Sequence, residues 1–137
     1  MSKNSQLYII CIAGLVSFVL TSVGFFYLKS LRNAEDVHLG LQSYVTVQQL
    51  TLPERIDERT TLTDVNTVGT NLTYTYEVDE KLKDVAEINM AQVEHGALQK
   101  GCSGEMAETI KRGASYTYVY LSQNKDRIGT FTISKCP

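Results

Sequence analysis

Apolar residues follow three different rhythms along the chain. The first is an unbroken run from Leu7 to Leu28 that contains no Asp, Glu, Lys or Arg. As a helix it would span about 33 Å, close to the hydrocarbon thickness of a bilayer, so it predicts one transmembrane helix. The second rhythm is helical. Val37, Leu41 and Tyr44 recur at helical spacing in a juxtamembrane stalk or helix, and residues 84–100 read as a helix capped by Asp84, with Glu87 three residues later. Gly101 is expected to stop that helix in the left-handed conformation. A shorter helix is expected over 104–112, with Ser103 as its cap and Gly113 as its stop. The third rhythm has period two. Leu72, Tyr74, Tyr76 and Val78 alternate with Asn71, Thr73, Thr75 and Glu77, and Tyr116, Tyr118 and Tyr120 alternate with Thr117, Val119 and Leu121.

Two further strands complete the prediction. One covers Thr60 to Asn66, with Leu62 and Val65 apolar; Gly69, Thr70 and Asn71 then supply a turn. The other covers Arg127 to Lys135, with Phe131 and Ile133 inward, after a polar loop from Ser122 to Asp126. Pro53 interrupts regular structure between Leu52 and Asp57. The resulting order is strand, strand, helix, helix, strand, strand. It predicts an α+β fold with an antiparallel sheet and helices on one face. The expected organisation is a tail (1–6), a transmembrane helix (7–28), a juxtamembrane stalk or helix (29–51) and an α+β domain (52–137).

The apolar run is longer than a signal-peptide core, and Phe25, Phe26, Tyr27 and Leu28 stand where a cleavage site needs small residues. An uncleaved anchor is therefore the favoured reading; cleavage near Ser22 and Gly24 is the other. A lipoprotein anchor fits poorly, because Ile9 and Ile10 precede Cys11. A type IV pilin would carry a Glu just inside the run, and none is present. Ala13, Ser17, Thr21 and Gly24 share one helix face and form a candidate packing face for a second membrane helix, hence a homo-oligomer contact; a chance pattern is the alternative.

Flanking charge does not orient the run. Lys3 precedes it, Lys29 and Arg32 follow it, and the balance leans slightly toward a cytoplasmic C-terminus. The cysteines argue the opposite. With Cys11 inside the run, Cys102 and Cys136 form an even pair in a small domain, which favours a disulfide and an oxidising compartment. Two unrelated buried thiols are the competing reading. The expected location is thus the bacterial inner membrane, single-pass, with the C-terminal domain in the periplasm.

Charge and motifs exclude more than they identify. After Ser30, eleven basic residues stand against fifteen acidic ones, a net charge near −4. No basic stripe suited to nucleic acid exists beyond the Lys111–Arg112 pair. His38 and His95 are the only histidines and form no set of metal ligands with the cysteines or carboxylates. Glu54, Asp57 and Glu58, beside Arg55 and Arg59, read as a solvated charged turn rather than a general acid–base pair. There is no phosphate-binding glycine loop. No cofactor, metal or catalytic residue is expected, and the chain is not expected to be an enzyme. Asn71, Leu72 and Thr73 match a glycosylation sequon for which nothing else in the sequence suggests a use. The strand tyrosines Tyr74, Tyr76, Tyr116, Tyr118 and Tyr120 are the unusual feature. They read first as β-forming residues filling the sheet–helix interface, and second as a binding face combining apolar area with polar tips.

From Leu52 onward the chain resembles small bacterial envelope proteins. The resemblance rests on Leu52, Pro53, Ile56 and Asp57, on the Leu72–Tyr76 strand, on Cys102 after a helix, on Gly113 before the Tyr116–Tyr120 strand, and on the terminal Cys136. More loosely, the layout is similar to pilotins and other small accessory proteins of secretion systems, although pilotins are usually lipoproteins. The resemblance implies an exported, disulfide-bonded domain and transfers no catalytic residue. The expected role is a membrane-anchored periplasmic interaction protein: an accessory or assembly factor of an envelope machine, or a phage- or plasmid-encoded exclusion factor. Its expected partners are the membrane and an envelope protein, not nucleic acid. A small-ligand module using the tyrosine face is the alternative.

Overall fold

Two tyrosine-bearing strands lie side by side at the middle of the fold. The computed structural model describes residues 33–79 and 89–137, and the unit they build runs from Ala34 to Pro137. The Leu7–Leu28 run, with Ala13, Ser17, Thr21 and Gly24, lies outside the described residues, as do Asp84 and Glu87. Among the described residues no helix is long and apolar enough to cross a membrane.

Five strands form one sheet in the order β1 (Glu54–Arg55), β2 (Thr60–Val68), β3 (Asn71–Val78), β4 (Ser115–Leu121) and β5 (Arg127–Ile133). The antiparallel expectation fails at one place. β3 and β4 run parallel, in register from Asn71↔Ser115 to Glu77↔Leu121, while the other pairs are antiparallel. The reason is the connection. Helices α2 (Met90–Gly101) and α3 (Glu105–Lys111) stand between β3 and β4, and a crossover through helices returns the chain to the end from which β3 began. The sheet is therefore mixed. The element order also differs from the prediction: the two-residue β1 precedes β2, and a helix, α1 (residues 33–49), in the stretch expected as a stalk or helix, comes before both as part of the fold.

α1 is part of the core. Val37, Leu41 and Val45, one stripe at helical spacing, are buried against Leu62, Val65 and Leu72. Tyr44, expected on that stripe, is 39% exposed, and Val45 takes its place. The packed unit thus starts at Ala34, ahead of the Leu52 start expected from sequence. β2 contains a register shift between Leu62 and Asp64. This bulge lets Leu62 and Val65, three residues apart, both face the core, which strict alternation forbids.

The helix ends differ from expectation in physically clear ways. Asn89 is extended and caps α2, its side chain accepting from Gln92 N at 3.3 Å, so no continuous helix runs from Asp84 through this position. Gly101 is the last helical residue and not a left-handed stop; Cys102 is the C-cap, with φ −81°. α3 is capped by Gly104, and the Ser103 hydroxyl instead donates to Lys100 O at 2.9 Å. Gly113 does end α3, with φ 99°, a conformation that favours glycine. β5 stops at Ile133, two residues before the expected Lys135. Beyond it, Cys136 is disulfide-bonded to Cys102, with Cα atoms 5.5 Å apart.

Candidate functional site

Period-two alternation places Leu72, Tyr74, Tyr76 and Val78 on the face of β3 that the helices cover, and the parallel register sets Tyr116, Tyr118 and Tyr120 beside the first three. Rows then extend across strands. Tyr74 stacks on Tyr118 at 5.4 Å between ring centroids, and Tyr118 on Phe131 at 4.9 Å. In the next row Tyr76 stacks on Tyr120 at 5.0 Å. That row ends at Gly129, and Met90 of α2 occupies the space a side chain there would need. The structure therefore brings all five tyrosines together on one face. Tyr116 and Tyr118 are buried in the core; Tyr74, Tyr76 and Tyr120 are partly buried against it.

The hydroxyls divide the face into two parts. Tyr74 donates to Tyr44 of α1 at 3.2 Å, Tyr116 shares a 2.5 Å hydrogen bond with Thr109 of α3, and Tyr118 points to Met106 Sδ at 3.9 Å. These tie the sheet to its helices. The Tyr76 and Tyr120 hydroxyls bond to no protein group among the described residues. They line a groove of about 650 Å³ between α2 and the sheet, whose other wall includes Val93, Gly96 and Ala97. Asp57, Lys100 and Glu105 are the charged residues lining it. A smaller cleft of about 360 Å³ lies between α1, α3 and the sheet, with Asp36 and Arg112 at 3.9 Å on its rim.

Burial dominates the acid–base behaviour of this face. It pushes the phenols of Tyr74, Tyr76 and Tyr120 up from their ordinary value, and Tyr118 up to about 12. Desolvation is the largest cause in each case. For Tyr118, repulsion between neighbouring phenolates adds to it; for Tyr120, the Asp57 carboxylate does. The groove floor is thus neutral and hydrogen-bonding at physiological pH.

The other residues singled out from sequence do not join this site as chemistry. Asp57 Oδ1 accepts from the backbone N–H of Arg59 and of Thr60, both at 2.8 Å; the first of these bonds is the main reason its pKa is lowered. It is a turn-forming carboxylate. Arg55 pairs with Asp79 at 2.6 Å. His95 is exposed on α2, while His38 Nδ1 lies 2.6 Å from Gly69 O and ties α1 to the β2–β3 turn. Asn71, the sequon residue, accepts from Ser115 and Thr117 and donates to Thr73. Among the described residues no group of His, Cys, Asp and Glu is placed to hold a metal. What sequence reasoning missed is the groove wall. Gly96 carries no signal in the sequence, and nothing there shows that the space beside it is open.

No protein-family model matches the chain, and no curated sequence matches it. Solved structures do. A Pseudomonas aeruginosa protein provisionally assigned as secreted superimposes with a TM-score of 0.64 at 16% identity, covering 74% of this chain and 91% of its own. The pilotin EpsS of the Vibrio vulnificus type 2 secretion system gives 0.64 at 9% identity, covering 75% and 92%. The pilotin AspS of the Vibrio cholerae type II secretion system gives 0.62 at 11%, covering 77% and 94%. At these identities the likeness is one of fold: the chain shares its α+β architecture with two secretion-system pilotins and a protein assigned to export.

Proposed function

We propose that this chain is a non-enzymatic, membrane-anchored accessory factor of a bacterial envelope secretion machine, and that its Ala34–Pro137 unit binds a protein component of that machine. One observation carries the reading: a tyrosine-floored groove, with two hydroxyls free of protein partners among the described residues, on a fold shared with secretion pilotins. Tyrosine suits such a surface, since it offers apolar area and a hydrogen bond at low entropic cost. In the same proposal the Leu7–Leu28 run is the inner-membrane anchor, its Ala13, Ser17, Thr21 and Gly24 face packs against a second copy, and the Cys102–Cys136 disulfide fits a periplasmic domain.

The test is site-specific photo-crosslinking in intact cells. A photoreactive residue at Val93, in the groove wall, is expected to capture an envelope secretion protein; the same residue at Thr132, on the opposite sheet face, is expected not to. Equal capture at both sites, or none at Val93, would overturn the reading. One observation favours a second reading. The groove volume, about 650 Å³, lies in the range of small-molecule sites. A small compound retained in native mass spectra, and displaced by Tyr120→Trp, would support that instead.

A further inference from the structure

α2 is attached to the rest of the fold most closely at its two ends, and between them it borders the groove with only half-buried side chains against the core. At its start, Met90 packs over the backbone of Gly129 in β5. At its end, Gly101 packs against Met106 and the next residue, Cys102, is bonded to Cys136. Between these points Val93, Gly96 and Ala97 face the groove. Gly101 is the only buried residue of the helix. Among the described residues the buried apolar side chains belong to α1, α3, the sheet and Ala114, and α2 adds only half-buried ones such as Ala97 and Leu98. A helix of this length is marginal when it is not packed, and a mid-helix glycine weakens it further.

From this we infer that α2 is a redox-controlled wall of the groove: the Cys102–Cys136 disulfide holds it over the tyrosine floor, and reduction releases it while the rest of the fold persists. The inference deepens the proposed function by giving the binding groove a covalent latch, and it rests on that reading only for its biological use. Reduction takes two electrons and two protons, leaving two thiols. A dithiol donor supplies both and is itself oxidised to a disulfide, as in ordinary thiol–disulfide exchange. Cys102 and Cys136 are both partly exposed, so a small dithiol can reach the bond. The freed C-terminal residues after Ile133 no longer hold the end of α2, and the Met90 contact, the close approach of Gly101 to Met106 and the half-buried Ala97 and Leu98 are left to oppose its departure.

Hydrogen exchange read by mass spectrometry on the full chain in detergent tests this, with oxidised protein compared with protein reduced by dithiothreitol. Reduction is expected to speed exchange in peptides covering residues 90–101 by about tenfold or more, with less than about twofold change in β2, β3 and β4, because local opening draws on the least-packed element. The Cys102→Ser/Cys136→Ser double variant should reproduce the reduced pattern. The inference is overturned if every element accelerates together, as in global unfolding; if residues 90–101 do not change; or if Cys102 and Cys136 are free thiols in the oxidised protein. Since no partner is present in this experiment, its failure is separate from a failure to crosslink an envelope protein.

Discussion

Met106 Sδ occupies the space that a side chain on Gly101 would need. The contact joins the end of α2 to the first turn of α3, and Met106 is also the group toward which the Tyr118 hydroxyl points, at 3.9 Å. Gly101→Ala is therefore expected to destabilise the protein even though alanine is the better helix former. Over-packing costs about 1–3 kcal/mol, against a gain of about 1 kcal/mol in helix propensity. The long, flexible thioether keeps the cost toward the lower end. Urea unfolding should show a lower midpoint with an unchanged slope; a raised midpoint would show that the close approach is not needed.

Gly96 gives the opposite expectation from the same helix. Apart from its chain neighbours and the backbone of its own helix, nothing lies within 4 Å of the place where its side chain would begin. Gly96→Ala should raise stability by up to about 1 kcal/mol through propensity alone. Gly96→Trp should project into the groove, abolish capture at Val93 and leave the unfolding free energy within about 0.5 kcal/mol of the parent, as surface substitutions generally do. A Gly96→Trp variant that unfolds would mean that the space beside α2 is part of the packed core.

The tyrosines separate core from surface. Tyr118 is 8% exposed and is stacked between Tyr74 and Phe131. Tyr118→Ala should cost about 3–5 kcal/mol, the usual loss for deleting a buried ring. Tyr120→Phe removes only a hydroxyl that has no protein partner among the described residues, so stability should change by less than about 0.5 kcal/mol while binding at the groove weakens. Thermal unfolding of the two variants checks the contrast. Equal losses would place both rings in the core and argue against a binding floor.

Much of this arrangement was legible because it depends on local rhythm. Period two assigned the tyrosines of β3 and β4 to single faces, and Gly113 marked the end of α3. The parallel pairing of β3 with β4 was not legible, because a pair of helices between strands fixes direction only once their crossover is placed. Val45 was misjudged in favour of Tyr44 for a related reason: both fit a helical stripe, and only the neighbouring strands decide which one is covered. The groove was invisible in the sequence because it is a space between elements. Its wall carries small residues that read as neutral, and the phenols on its floor are distinguished only by which of them find partners.

Alkaline titration provides the last test of this face. Burial raises the Tyr118 pKa to about 12, and raises those of Tyr74, Tyr76 and Tyr120 as well, whereas an unfolded chain ionises its tyrosines near about 10. The folded state thus holds these protons more tightly than the unfolded state does. Below pH of about 10 both states keep them and the contribution to stability is complete. As pH rises further, the unfolded chain loses protons that the folded one retains, so stability falls steadily until Tyr118 itself ionises at about 12. Ultraviolet absorbance of phenolate, followed together with circular dichroism, should show late ionisation of the buried tyrosines coinciding with unfolding. All eight tyrosines titrating together near 10, with the fold intact, would contradict the packing of the sheet against its helices.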